Sequence, residues 1–235
     1  MDAKKLKEEQ EKINDKIIKI YQQRKENFDK GAITDGVTDI EGYLQSKPRI
    51  AWILKEAWDK GKASWSITEE VIADLNKDNI SGTPSFKRVA YTTFGVQTGS
   101  KWDDMPWIYN DENVANAIKK VAWLNVSKVA GESVSSSKEL EKASKIWEEI
   151  LDEQIKLYEP QVIILGNTYN WVKDILKINK EPEIKENSAW AYMTQDNKIV
   201  IWAYHPAIRR MKDQDYIDDI IEAIKKAQID FGINF

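Results

Sequence analysis

The chain has 235 residues, of which 42% are hydrophobic and 31% are charged, a balance typical of a folded globular protein rather than a disordered one. The absence of cysteine excludes disulfide bonds, a thiolate nucleophile, a cysteine-ligated zinc site and an iron–sulfur cluster. The formal net charge of −4 argues against a strong non-specific grip on nucleic acid, although it allows a small basic patch beside a pocket.

The N-terminal stretch is the first predicted element. Within residues 2–29, Leu6, Ile13 and Ile17 recur at helical spacing among lysines and glutamates, so we predict a charged amphipathic helix. A loop with two glycines follows at 31–36. No signal peptide is recognisable and no apolar run approaches the length of a membrane span, so we expect a cytoplasmic protein with no membrane partner.

Four short apolar runs of strand type come next. None of them alternates with polar residues, which is the pattern of strands buried on both faces of a parallel sheet. The runs are RIAWIL (49–54), VAWLNV (121–126), QVIILG (161–166) and KIVIWAY (198–204). Helical patterns accompany them at 139–158, 168–178 and 213–229.

This alternation of strands and helices predicts an α/β protein with three layers, α/β/α, around a central four-stranded parallel sheet, plus an extra N-terminal helix. We expect one domain over residues 1–235, with an N-terminal helical extension at 1–47 and the α/β core at 48–235. The region 59–116 departs from the pattern, because it is rich in turn residues and aromatics. A long irregular insertion is often functional, and the plain alternative is a surface excursion packed by its own tryptophans.

Polar side chains follow every predicted strand. In an open parallel sheet, ligands bind beyond the carboxyl ends of the strands, so these side chains are the first candidates for a site. They include Glu56 and Asp59 after the first strand, Asn125 and Lys128 at the second, Asn167 after the third, and His205, Arg209 and Arg210 after the fourth.

His205 is the only imidazole in the chain, and it can donate to developing negative charge or act as an acid or base near neutral pH. The plain alternative is a histidine that only packs or caps. Asn125 ends an apolar strand, where an amide can read a base edge with one donor and one acceptor, or can simply cap a turn.

The remaining candidates also have two interpretations. Glu56 and Asp59 could activate a water or could cap the following helix, and Arg209 and Arg210 suit phosphate or form an ordinary surface pair. Glycine-rich phosphate loops and the G-x-S-x-G elbow are absent from the sequence. With one histidine and no cysteine, we expect neither a metal site nor a cofactor.

Taken in order from about residue 48 to 210, these stretches resemble the motifs of the uracil-DNA glycosylase superfamily. IAWILKEAWD (50–59) lies in the place of the first motif, and GTPSFKRVAY (82–91) is similar to the proline–serine loop and its helix. VAWLNVSKVAG (121–131) is similar to the asparagine strand, and QVIILGN (161–167) is similar to the strand that follows it. IWAYHPAIRR (201–210) is similar to the closing H-P-S motif. The chain departs from the superfamily pattern at Lys55, Ala57, Trp58 and Ala207.

The resemblance implies a hydrolase that cleaves the N-glycosidic bond of uracil or a related damaged base, flipped out of DNA in single-stranded or duplex form. Asn125 would read the base edge, and His205 would stabilise the departing base. Glu56 or Asp59 would position the water. Stacking on the base would fall to Trp58, Trp65 or Phe94, and phosphate binding to Ser85, Lys128, Arg209 and Arg210.

Two other functions stay open. One is a catalytically inactive member of the same fold that binds nucleic acid, a nucleobase or a nucleotide, which the altered first motif and the acidic charge favour. The other is a protein-interaction domain whose aromatic insertion forms the contact surface. The preferred base and the oligomeric state are left open by the sequence.

Overall fold

The structure, a computed structural model, describes residues 1–59, 61, 63–131, 136–178, 181–182 and 184–235. The strands are β1 (Ile33–Thr34), β2 (Gly36–Val37), β3 (Ile50–Leu54), β4 (Trp65–Ser66), β5 (Ala122–Asn125), β6 (Val162–Gly166), β7 (Ile184–Glu186), β8 (Ala189–Met193) and β9 (Ile199–Ala203). The α-helices are α1 (Ala3–Gln23), α2 (Ile40–Gln45), α3 (Lys77–Gly82), α4 (Pro84–Thr98), α5 (Glu112–Asn116), α6 (Ser137–Tyr158), α7 (Tyr169–Val172) and α8 (Asp213–Phe231).

The main sheet is seven-stranded and mixed, in the order β2-β5-β3-β6-β9-β8-β7. The four predicted apolar runs form β3, β5, β6 and β9, and these lie parallel to one another at its centre. The expectation of a sheet with only four parallel strands is wrong, because β2 pairs antiparallel with β5, and β8 and β7 extend the other edge antiparallel. The α/β class is confirmed.

Both faces of the central strands are buried, as their unbroken apolar sequences indicate. On β3, Trp52 and Leu54 face one core and Ala51 and Ile53 face the other. The first face of the sheet packs against α4 and α8, and the second face packs against α2, α6 and α7. Alternate side chains of a strand point to opposite faces, so every residue of β3 is buried by one helical layer or the other.

Helix α1 is shorter than the predicted 2–29 and is packed along its length. Asp2 caps it by accepting from the backbone N–H of Lys5 at 2.8 Å. Ile17 is buried between α1 and α6, in a cluster that includes Trp147. Gln10 both accepts from and donates to the backbone of Val37, at 2.8 and 3.1 Å, so α1 also binds the edge strand β2.

The region 59–116 is more regular than its composition indicates. It contains β4, a π-helical turn, α3, the fifteen-residue α4 and α5. Helix α4 packs on the first face through Val89, Ala90 and Tyr91. The predicted helix at 168–178 is mostly a series of turns, with α7 covering only its beginning, whereas α6 and α8 match their predictions closely. No helix in the described part of the chain is long and apolar enough to cross a membrane.

Candidate functional site

The carboxyl ends of β5, β3, β6 and β9 lie along one edge of the sheet, because these strands are parallel. The chain runs from β3 outward to β5 and then returns to β6 on the other side of β3. Such a reversal of strand order opens a crevice at the carboxyl ends, here between β3 and β6. The residues that follow these strands therefore share one rim, which we call the carboxyl edge.

The ends of β3, β6 and β9 approach one another closely at this edge. A Cβ on Gly166 would meet Cδ2 of Leu54 and would lie 3.2 Å from Cδ of Pro206, so a larger residue there would have to displace the Leu54 side chain. The Thr168 hydroxyl donates to the carbonyl of Ile53 at 2.8 Å. Asn167 has a φ of 61° and donates its backbone N–H to the carbonyl of Ala203 at 2.8 Å. These contacts hold the segment that carries His205 against the end of β3.

His205 presents a neutral imidazole at the carboxyl edge. Its Nδ1 accepts from the backbone N–H of Ala207 at 3.2 Å, so the proton of the neutral ring is on Nε2. Burial, and to a smaller extent the nearby Lys55 ammonium, lowers the pKa of His205 to about 4. At neutral pH this side chain is therefore an N–H donor without charge.

Arg88 of α4, which no sequence motif singles out, holds the loop that carries His205. Its buried guanidinium donates to the carbonyls of Pro206 at 3.0 Å, of Ile208 at 2.7 Å and of Met211. Its Nε also donates to the Asp213 carboxylate at 2.8 Å. The loop therefore has a defined shape although it contains no regular structure. Its partners lie more than a hundred residues away in sequence, so no local pattern reveals this role.

Asn125 lies at the end of β5 and is 2% exposed. Its backbone N–H donates to the Asp35 carboxylate at 2.7 Å, which continues the β2–β5 ladder beyond Gly36. Its side chain points to the first face, the same face as Trp123. The side-chain Nδ2 is buried and has no hydrogen-bond partner among the described residues. A buried donor of this kind is costly unless a ligand or water completes it.

Lys128 does not reach a phosphate, which corrects the sequence-based prediction. Its side chain is 0% exposed and its ammonium bonds Asp35 at 2.7 and 2.8 Å and Gln154 at 2.7 Å. Burial lowers the pKa of Lys128, and the Asp35 carboxylate opposes that shift. The charge is needed inside the fold, beneath Asn125, where Asp35 would otherwise be an uncompensated buried carboxylate.

The two candidate carboxylates after β3 differ in their surroundings. The Glu56 side chain lies over Gly131, whose added Cβ would be 2.2 Å from Cγ of Glu56. The Asp59 carboxylate accepts from the indole N–H of Trp65 and from the backbone N–H of Gly61, both at 2.9 Å. Asp59 thus orders its own loop.

The predicted stacking residues separate into two groups. Trp58 is 58% exposed beside the carboxyl edge, and Trp65 is partly buried against the first-face core. The structure does not bring Phe94 to the carboxyl edge: it lies nine residues beyond Ser85 on α4, about 13 Å along the helix axis, and its neighbour Thr93 contacts Trp52 in the middle of β3. Phe86, which directly follows the proline–serine pair, was missed.

Phe86 packs edge-on against Trp123, with ring centroids 5.9 Å apart, on the same face as Asn125.

Ser85 is half-buried in the first turn of α4, and Arg209 and Arg210 are exposed. Arg210 lines a cleft of about 660 Å³ with Tyr204, and Lys55 and Asn167 line a second cleft of about 640 Å³ between α6 and α7. Within the described residues, no three histidine or carboxylate side chains are grouped as a metal site.

Comparison with known protein families adds no assignment, because no family model matches the chain. The functional conclusion therefore depends on the geometry of the carboxyl edge and on its chemistry.

Proposed function

We propose that the chain is an N-glycosyl hydrolase that releases uracil or a related damaged base from DNA, as a divergent relative of the uracil-DNA glycosylases. The observation that carries the proposal is the neutral His205 at the carboxyl edge, with its proton on Nε2. A neutral imidazole N–H can donate a hydrogen bond to a leaving group that becomes negative, so His205 needs no prior protonation for this role.

The reaction breaks the bond between the sugar carbon C1′ and the base nitrogen. The electron pair of that bond leaves with the base, whose oxygen becomes negative, and the sugar becomes cationic. His205 donates a hydrogen bond from Nε2 to the departing base, and the Lys55 ammonium adds a favourable field. A water then adds to C1′, and Glu56 accepts its proton.

Base recognition falls to Asn125 and the aromatic residues around it. A flipped base would place an acceptor oxygen at the buried Nδ2 of Asn125, which lacks a partner among the described residues. Three strand spacings, about 14 Å, separate the main chains of β5 and β9, and in the proposed complex the base lies between Asn125 and His205. Phe86 and Trp65 supply the apolar wall on the first face.

A second candidate is a non-catalytic nucleic-acid or nucleotide-binding protein of the same fold. The observation that favours it is the engagement of Asp59, whose two carboxylate oxygens both bond the loop after β3. Ala57 supplies no acid–base group at the place where the superfamily pattern has its water-activating residue.

The test is incubation with uracil-containing oligonucleotides, single-stranded and duplex, followed by chromatography of free uracil and alkaline cleavage of the strand. We expect release of uracil, slowed about 10²–10³-fold by His205→Ala because one donor to the leaving group is lost. Asn125→Ala should also slow it, whereas Asn113→Ala, on the exposed side of α5, should not. Absence of uracil release from both substrates would overturn the proposal, and salt-sensitive binding without release would favour the second candidate.

A further inference from the structure

The cleft of about 660 Å³ beside His205 combines an aromatic ring, an apolar wall and a guanidinium. Tyr204, which directly precedes His205, is 44% exposed, and its ring meets Trp190 edge-on with centroids 6.3 Å apart. Ile208 and Met211 line the same cleft, and Arg210 carries its positive charge. None of these four side chains has a role in the hydrolytic step.

Tyr204 is held in position from beneath. Its carbonyl accepts from the hydroxyl of the buried Tyr216 at 2.8 Å, and the Arg88 guanidinium lies over the Tyr216 ring at 5.0 Å. An exposed aromatic residue with a fixed main chain loses little conformational entropy when a ligand stacks on it, which is the property of a binding platform.

We infer that this cleft binds the nucleotide next to the target in single-stranded DNA, with its base against the Tyr204 ring and its phosphate at Arg210. This inference extends the proposed function and rests on it in one respect, because the proposed hydrolysis defines which nucleotide is the target. Tyr204 and His205 are adjacent in the chain, so an occupant of the cleft lies next to the base that His205 would contact.

A single strand fits the cleft better than a duplex does. In a duplex, the neighbouring base is paired and stacked inside the helix, where a protein ring does not reach it. The net charge of −4 also disfavours electrostatic binding to many phosphates of the DNA backbone, so base stacking has to supply most of the affinity. Asp215 and Asp219 also line the cleft, and Asp219 accepts from the backbone N–H and the hydroxyl of Ser188. Arg210 is the cation that opposes these two carboxylates in the lining, so a phosphate there depends on Arg210.

The test measures binding of a short fluorescein-labelled oligothymidylate by fluorescence anisotropy, alone and annealed to oligodeoxyadenylate. This probe contains no uracil, so the outcome is independent of turnover and separates a failure of this inference from a failure of the proposed hydrolysis. We expect tighter binding of the single strand. Tyr204→Leu should raise the dissociation constant about 5- to 100-fold, and Tyr204→Trp should retain the affinity.

Tyr109→Leu is the matched control, because Tyr109 is 45% exposed but lies before α5 and bonds Asp78 of α3. It should leave the affinity unchanged. Arg210→Gln should reduce the slope of log affinity against log salt by about 0.7, the value for one phosphate contact with a single strand. Equal affinities for Tyr204→Leu and Tyr109→Leu, or equal binding of single strand and duplex, would overturn the inference.

Discussion

The chemistry of His205 depends on its immediate neighbours rather than on the imidazole alone. The Ala207 amide selects the tautomer, while burial and the Lys55 ammonium keep the ring neutral. An ordinary histidine has a pKa near 6.5 and is partly charged at mildly acidic pH. The sequence identified this residue as a candidate from its place after a strand, but the tautomer and the pKa depend on contacts that a sequence does not display.

The lowered pKa of His205 makes folding stability depend on pH. Between pH 7 and pH 5 the unfolded chain takes up a proton on this imidazole, whereas the native chain takes it up only near pH 4. Protonation therefore favours the unfolded state, and the free energy of unfolding should fall as the pH is lowered from 7 to 5. We expect His205→Gln to show a smaller fall, measured by urea unfolding at both pH values. An equal fall in both proteins would contradict the lowered pKa.

The buried pair of Lys128 and Asp35 is a second feature of residue scale. We expect Lys128→Met to cost about 3–5 kcal/mol of unfolding free energy, because it leaves the Asp35 carboxylate buried without its counter-charge. The control is Lys16→Met, which removes a surface pair with Glu153 in which the lysine side chain is 53% exposed, and should cost less than about 1 kcal/mol. Similar losses for the two variants would contradict the buried charge pair.

Among the elements, the four central parallel strands were predicted from their continuous apolar runs, whereas β8, whose sequence is also apolar, was not predicted. The edge strands were missed because β2 has two residues and β7 mixes Ile184 with charged neighbours. Helix α4 was indicated by the resemblance at 82–91 and not by an apolar period, because its threonines and glycine interrupt the helical pattern. Packing on the first face stabilises it instead. Lys128 was predicted to bind phosphate because its actual partner, Asp35, is 93 residues away in the sequence and no local pattern reveals the pair.

The loop after β9 depends on Arg88 of α4, so its dynamics can be tested through that helix. Arg88→Met removes the donors to the carbonyls of the loop, and we expect faster amide hydrogen exchange over residues 206–211 together with a loss of at least about 3 kcal/mol of stability. Lys87→Met is the control, because Lys87 pairs with the same Asp213 but does not contact the loop carbonyls. Unchanged exchange in the Arg88 variant would show that the loop keeps its shape by other means.

At the scale of the whole molecule, α1 is packed into the fold rather than appended to it. Ile17 is 0% exposed against α6, whereas Ile229 near the end of α8 is 78% exposed. If residues 1–235 unfold as one cooperative unit, Ile17→Ala should lower the unfolding free energy by about 2–5 kcal/mol while the urea transition stays single. Ile229→Ala should have little effect. A separate early transition for α1 in the Ile17 variant would contradict a single unit.

The neutral Nε2 proton of His205 at the carboxyl edge is the claim on which the proposed chemistry depends. Nitrogen-15 NMR of the imidazole tests it directly, because His205 is the only histidine and its signals need no assignment. We expect a neutral ring with the proton on Nε2 at pH 7 and a titration midpoint of about 4. A midpoint near 6.5, or a proton on Nδ1, would contradict the account.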